Sequence, residues 1–357
     1  MSSDDVLVEK KGKGAGCLHW LGRVALGALI LLLVLMAVGA IYQAVASTRD
    51  AKTYKPLDQM VDVDGIQLRL DCRGGGSPTV VLEAGASVYS IAWARIQEDV
   101  AKFSRVCSYD RAGMGWSDSV RGELSPQQVA EMLHSLLEKG GEGPPYLMVG
   151  HSLGGIYVRA FASLYPDDVV GMVLVDSSHE NQNVLLPSEF VKLNDMQSAA
   201  LQFCQATAPF GLVRTAKMMD SLVVSIPVTE EEKKPLLAAM YRTGYCGAAA
   251  REMSMFYAYA SQPKDLNGLG EMPLIVLTSG NDAQEMYDEL PPAFQSQLTV
   301  AVMQQEVDAW NAMQQELAGL STRGKRIVVQ ESGHNIQLDS PAVVIDAIRE
   351  VFEQVAQ

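Results

Sequence analysis

The chain has 357 residues, 48% of them hydrophobic, enough for one large catalytic domain with an insertion and a tail. Its formal net charge is -14 at pH 7, and no basic stripe is present to hold nucleic acid. Cys17, Cys72, Cys107, Cys204 and Cys246 form no CxxC pair and no Cys/His cluster at zinc spacing, so no metal site is expected.

Residues 1–23 read as a polar tail of mixed charge, with Lys10, Lys11, Lys13 and Arg23 ahead of an apolar run. Val24–Ile41 carries no charge, and with its flank to Val45 it is long enough to span a bilayer as a helix. Residues 24–45 are therefore expected to be a transmembrane anchor. A cleavable signal peptide is the rival reading, because Ala44–Ser47 offers small residues at suitable spacing. The run is longer than a usual signal core, which favours the anchor. Arg49, Lys52 and Lys55 weaken the charge contrast across the span. The expected arrangement is single-pass, with the N-terminus inside and the globular part on the extracytoplasmic side. Residues 46–58 would be a linker.

From residue 59 the pattern changes to short β-branched runs broken by Gly and Pro. Asp64-Gly65 signals a hairpin turn, and Ile66–Cys72 alternates as a strand. Strands are expected at Thr79–Leu82, Arg105–Tyr109, Tyr146–Val149 and Val170–Val175. Helices are expected at Trp93–Phe103, Ser125–Glu138 and Gly154–Tyr165. That alternation argues for a mainly parallel sheet covered on both faces. The rhythm breaks over residues 180–268, which carry Met-rich helical stretches. It resumes with strands Pro273–Leu277 and Arg326–Gln330 and helices near Val302–Leu317 and Pro341–Val355. The reading is thus a core at 59–179 and 269–357, interrupted by a helical cap insert at 180–268.

The strongest chemical signal is Gly150-His151-Ser152-Leu153-Gly154, flanked by a strand before it and a helix after it. A G-x-S-x-G sequence in that context makes a sharp turn that lifts a serine Oγ above the sheet, so Ser152 is the expected nucleophile. A serine hydroxyl needs a base. Of five histidines, His334 follows the last strand in a loop that reaches the top of such a sheet, and it is the expected base. For the orienting acid two residues stand at strand ends. Asp282, after Pro273–Leu277, is preferred, and Asp176, closing Leu174-Val-Asp176, is the alternative. The oxyanion is expected on the backbone N–H groups of Leu153 and Ala86.

Val80-Val-Leu-Glu-Ala-Gly85, Tyr109-Asp-Arg-Ala-Gly-Met-Gly-Trp-Ser-Asp118, Gly150–Gly155, Leu174-Val-Asp176, Pro273–Gly280 and Ser332-Gly-His334 together resemble the α/β-hydrolase superfamily. The match is closest to its bacterial serine-hydrolase branch of esterases and prolyl aminopeptidases. The resemblance implies an eight-stranded, mainly parallel sheet, a helical cap and no cofactor. It also implies a small-molecule acyl substrate, with hydrolysis of a carboxylic ester or related acyl bond. An aminopeptidase or a C–C hydrolase could use the same residues, and a catalytically silent binding protein could use the same fold. An aminopeptidase would need acids for a free amine, and Glu230, Glu231 and Glu232 are candidates. Two departures stand out. The usual His-Gly of the oxyanion loop is Ala84-Gly85, and a single residue separates Gly280 from Asp282. The resembled fold sets the strands of Cys72 and Cys107 side by side, and Cys204 and Cys246 share the insert. Either pair could be a disulfide in an oxidising compartment, or all four could be free thiols.

Overall fold

A computed structural model describes residues 14–54, 58–220, 229–259, 268–290, 292–295 and 298–356. Its eight strands are β1 (Gln59–Val63), β2 (Ile66–Arg73), β3 (Thr79–Glu83), β4 (Val106–Tyr109), β5 (Tyr146–His151), β6 (Val169–Val175), β7 (Leu274–Ser279) and β8 (Gly324–Val329). They lie in one sheet in the order β1-β2-β4-β3-β5-β6-β7-β8. The β1–β2 and β2–β4 pairs are antiparallel, and all pairs from β4 to β8 are parallel.

Burial on both faces explains why the central strands read as short, mostly apolar runs. β3, β4, β5 and β7 are buried along their whole length. Alternate residues enter opposite cores. On one face Val81 and Met148 pack with Leu133, Leu137 and Phe161 of α3 (Pro126–Lys139) and α4 (Leu153–Leu164). On the other, Val80, Leu82, Leu147 and Val149 pack with Ile96 of α2 (Ala94–Val100) and with Val344, Ile348 and Val351 of the helix Pro341–Val355. α3 starts where the sequence says it should. Ser125 Oγ accepts from Gln128 N–H while Gln128 Oε1 accepts from Ser125 N–H, a reciprocal capping box followed by Pro126.

The insert contains no strand among the described residues. It holds α5 (Gln182–Leu185), α6 (Ser188–Thr207) and the helices Leu212–Thr215, Glu230–Met240 and Tyr245–Tyr259. Disulfides join Cys72 to Cys107, opposite each other on β2 and β4, and Cys204 of α6 to Cys246. Two structural bonds leave Cys17 as the one cysteine outside a disulfide. A thiol titration of denatured, unreduced protein is therefore expected to find one thiol per chain, and five would show that both bonds are absent.

The N-terminal helix α1 (Gly14–Thr53) contains an apolar window of mean hydropathy 2.9, long enough to cross a bilayer. The expected linker at 46–58 departs from this structure, because α1 continues unbroken through residues 46–53. No Gly or Pro interrupts that stretch, and it is held against the cap: Arg214 Nη1 pairs with Asp50 Oδ2 at 2.7 Å.

Candidate active site

β5 delivers Ser152 to a turn that its neighbours force. Ser152 has φ 51° and ψ -123°, a left-handed conformation that a non-glycine residue adopts only when its surroundings hold it there. Its N–H donates to Val175 O at 3.1 Å, and its carbonyl accepts from Gly155 and Ser178 N–H, both at 2.9 Å. The space needed for this turn comes from the flanking glycines. A Cβ on Gly154 would meet Glu83 O at 2.5 Å and Ala84 O at 2.7 Å, and one on Gly150 would meet Gly154 O at 2.6 Å. Ser152 thus stands directly before α4, whose free N–H groups and positive dipole end begin at Leu153.

His334 arrives on the loop after β8 and lines the same cavity as Ser152, a space of about 440 Å³. Its Nδ1 bonds Asp176 Oδ2 at 2.7 Å. Asp176, at the end of β6, is 1% exposed. Its Oδ1 accepts from Ser279 N–H at 2.8 Å and from Trp310 Nε1–H at 2.9 Å. Burial alone would raise its pKa, but the His334 bond and charge and the other two donors outweigh burial and hold it below the usual carboxylate range. An ionised Asp176 accepts, so Nδ1 of His334 carries the proton and Nε2 is the unprotonated ring nitrogen. Burial pulls the His334 pKa down, while the Asp176 bond and charge, with the charge of Glu306, carry it above its ordinary value.

Asp282, the preferred acid from sequence, does not meet His334. It is exposed and caps the helix Ala283–Asp288, accepting from Gln284 N–H at 2.8 Å and Glu285 N–H at 3.1 Å. Asp176 takes the imidazole instead.

His151 holds the His334 loop. Its Nε2–H donates to His334 O at 3.0 Å, and its Nδ1 accepts from Gln337 Nε2 at 3.3 Å. Burial, then the nearby His334 charge, lowers its pKa to about 3, so it stays neutral and keeps this tautomer.

Ala86 and Leu153 line the cavity beside Ser152. The Ala86 loop is fixed by a buried ion network. Arg111 donates from Nη1 to Glu83 Oε1 at 2.6 Å and Ala84 O at 2.7 Å, from Nη2 to Gly85 O at 2.7 Å, and from Nε to Glu252 Oε1 at 2.7 Å. Glu252, from the cap, also accepts Ser87 N–H at 2.8 Å. The quoted Tyr109–Asp118 stretch contains Arg111, but nothing in its spacing shows that the side chain grips the Ala84–Gly85 carbonyls beside Ala86.

Glu306 and Trp310 are further residues that motif reading misses. They lie one helical turn apart on the helix Val300–Ala318 and both line the cavity. Glu306 Oε2 is buried without a hydrogen-bond partner among the described residues. Burial, then the Asp176 charge, pushes its pKa up to about 7, against the opposing pull of His334. Glu230 and Glu231 lie outside the cavity lining, exposed and paired with Lys233 at 2.6 Å and Lys234 at 2.7 Å. The Glu232 side chain falls outside the described residues. Of the insert's methionines, Met253 lines the cavity, Met219 and Met240 fill the cap's own core, and Met196 and Met218 are exposed. The Met255 side chain falls outside the described residues. Cys72, Cys107 and Glu142 are grouped closely enough to hold a metal ion, but the two sulfurs are spent in a disulfide and offer no thiolate.

Known proteins share this architecture. The chain is 26% identical over 297 residues to the uncharacterised protein YqjL of Bacillus subtilis (strain 168), covering 83% of this chain and 92% of that one. A thermophilic esterase from Thermogutta terrifontis superposes with a TM-score of 0.56 at 22% identity, covering 84% of this chain and 97% of the esterase. An epoxide hydrolase from Bacillus megaterium superposes with a TM-score of 0.60 at 13% identity, covering 83% of this chain and all of the other. At such identities the superpositions establish fold alone. The model of the alpha/beta hydrolase family matches residues 74–347, which takes in the Ser152 turn, Asp176 and His334, and the chain belongs to that family.

Proposed function

We propose that the protein is a membrane-anchored serine hydrolase that cleaves a carboxylic ester or related acyl bond through Ser152, His334 and Asp176. The observation that carries this reading is a strained serine sharing one cavity with an imidazole whose far nitrogen is held by a buried carboxylate. Ser152 Oγ attacks the carbonyl carbon and His334 Nε2 takes its proton. Asp176 stabilises the imidazolium, and Leu153 and Ala86 N–H receive the oxyanion. His334 then protonates the leaving group, and water, activated by the same nitrogen, releases the acid. Membrane attachment is supported by the apolar window of α1, and by Gln43 and Asp50, which bond the cap across the residues where signal cleavage would fall. Two disulfides favour an extracytoplasmic domain. The test is turnover of a chromogenic ester panel by the full chain, with a fluorophosphonate as inhibitor. Turnover that resists the inhibitor would reject the covalent route.

Glu306 favours a second reading within the same chemistry, a substrate with a cationic group near the scissile bond, as in an aminopeptidase. The expected result is a preference for a trimethylammonium ester over its tert-butyl isostere, growing between about pH 6 and 8 as Glu306 ionises. Glu306→Gln should reduce the ratio of the two kcat/KM values roughly tenfold at the upper end. A ratio that neither depends on pH nor moves in the variant removes the reading.

A further inference from the structure

α1 does not stand clear of the globular part. Met36, Gly39, Ala40, Gln43, Ala46, Ser47 and Asp50 are its covered positions, spaced as one helical face. Gln43 Nε2 donates to Tyr241 O at 2.7 Å, and Arg214 Nε donates to Gln43 Oε1 at 3.2 Å. Gly39 lies directly on the Phe210 carbonyl, with no room for a Cβ, and a Cβ on Gly211 would meet Gly39 O at 3.0 Å. The tip of the cap is therefore seated on α1 at Gly39. Gly39 lies within the charge-free run Val24–Ile41, two residues from its end, or about 3 Å along the axis. Met36, also covered, lies about 7–8 Å inside.

The same tip turns apolar side chains outward. Phe203 of α6 is 54% exposed, Phe210 37% and Leu212 44%. Phe203 lies one turn before the end of α6 at Thr207, and Phe210 closes the short 3-10 turn Ala208–Phe210 that follows. Exposed aromatic and aliphatic groups beside a lipid-facing helix, at the depth of its apolar run, match the composition of an interfacial contact.

We propose that the cap tip around Phe210 and Leu212 is embedded in the lipid leaflet as a second, non-spanning membrane contact beside α1. This rests on the membrane-anchored reading above. The lipid surface is the occupant because the patch continues the exposed apolar face of α1 at the same depth. α6 runs from Phe190 and Gln197 in the catalytic cavity to this tip, so the cavity and the contact are joined by about 20 Å of helix, counted from Gln197 to Phe210.

The test uses the full chain in phosphatidylcholine vesicles, with a benzophenone amino acid placed singly at Leu31, Phe210, Leu212 or Val328. Leu31 lies on the exposed mid-span of α1, and Val328 is exposed on β8. After irradiation, lipid adducts are counted by mass spectrometry. The expected yields at 210 and 212 approach that at 31 and exceed that at 328 roughly tenfold or more. Adducts at 31 without adducts at 210 and 212, or crosslinks there to a second copy, overturn the proposal. No adduct at 31 overturns the membrane reading itself, and the tip contact with it.

Discussion

Ser152→Ala is expected to abolish covalent labelling by a fluorophosphonate and to lower kcat by about 10³–10⁶, as loss of a nucleophile does in serine hydrolases generally. The cavity and its N–H donors survive the change, so a residual rate above that of water is expected from binding and oxyanion stabilisation alone. Stability should move little. The hydroxyl makes no hydrogen bond to another described residue, and the backbone bonds at 152 involve N–H and C=O only. Intact-protein mass spectrometry after labelling reads the first result, and a thermal melt excludes unfolding. A labelled Ser152→Ala protein would place the nucleophile elsewhere.

Asp176→Asn should be nearly as damaging for a different reason. The amide keeps an oxygen for Ser279 and Trp310 but turns a donor toward His334 Nδ1. The imidazole then carries its proton on Nε2, where it can no longer accept one from Ser152. A loss of about 10²–10⁴ in kcat is expected. Asp282→Asn should keep near-wild-type turnover, because Asn caps a helix about as well as Asp. The pH profile carries a second signature. His334 must be neutral to act as base, and its pKa lies above the ordinary value, so the wild-type kcat/KM should rise with pH on a limb above about 6.5. Without the Asp176 charge, the residual activity of Asp176→Asn should rise at lower pH than wild type. If instead Asp282→Asn is the crippled variant, the His334–Asp176 pair is structural and the acid assignment is wrong.

The contrast between these two aspartates shows what sequence can and cannot locate. Strands β3 to β7 were legible because burial on both faces leaves short, mostly apolar runs. The Ser152 turn was legible because its glycines answer a local steric demand. Asp176 and Asp282 both follow strands in the order Ser-Asp-His, so order does not separate them. What separates them is non-local: Trp310 lies 134 positions from Asp176, and His334 lies 158. The same holds for Arg111, 141 positions from Glu252. Residues 46–53, expected as linker, continue α1, and their seating against the cap is non-local: Asp50 pairs with Arg214, far along the chain.

The Arg111 network makes the cap a working part of the site rather than a cover laid over it. Glu252 rides on the cap, yet it neutralises the cation that grips the Ala84 and Gly85 carbonyls just before Ala86 and itself holds Ser87 N–H. A minimal enzyme made by deleting the insert would strand Arg111, with its side chain 4% exposed, with half its counter-charge missing. Losing one partner of such a buried pair costs about 3–5 kcal/mol. Exchanging caps between relatives to redirect specificity would therefore succeed only with donors that carry a carboxylate where Glu252 stands, whatever the shape of the rest of their lining.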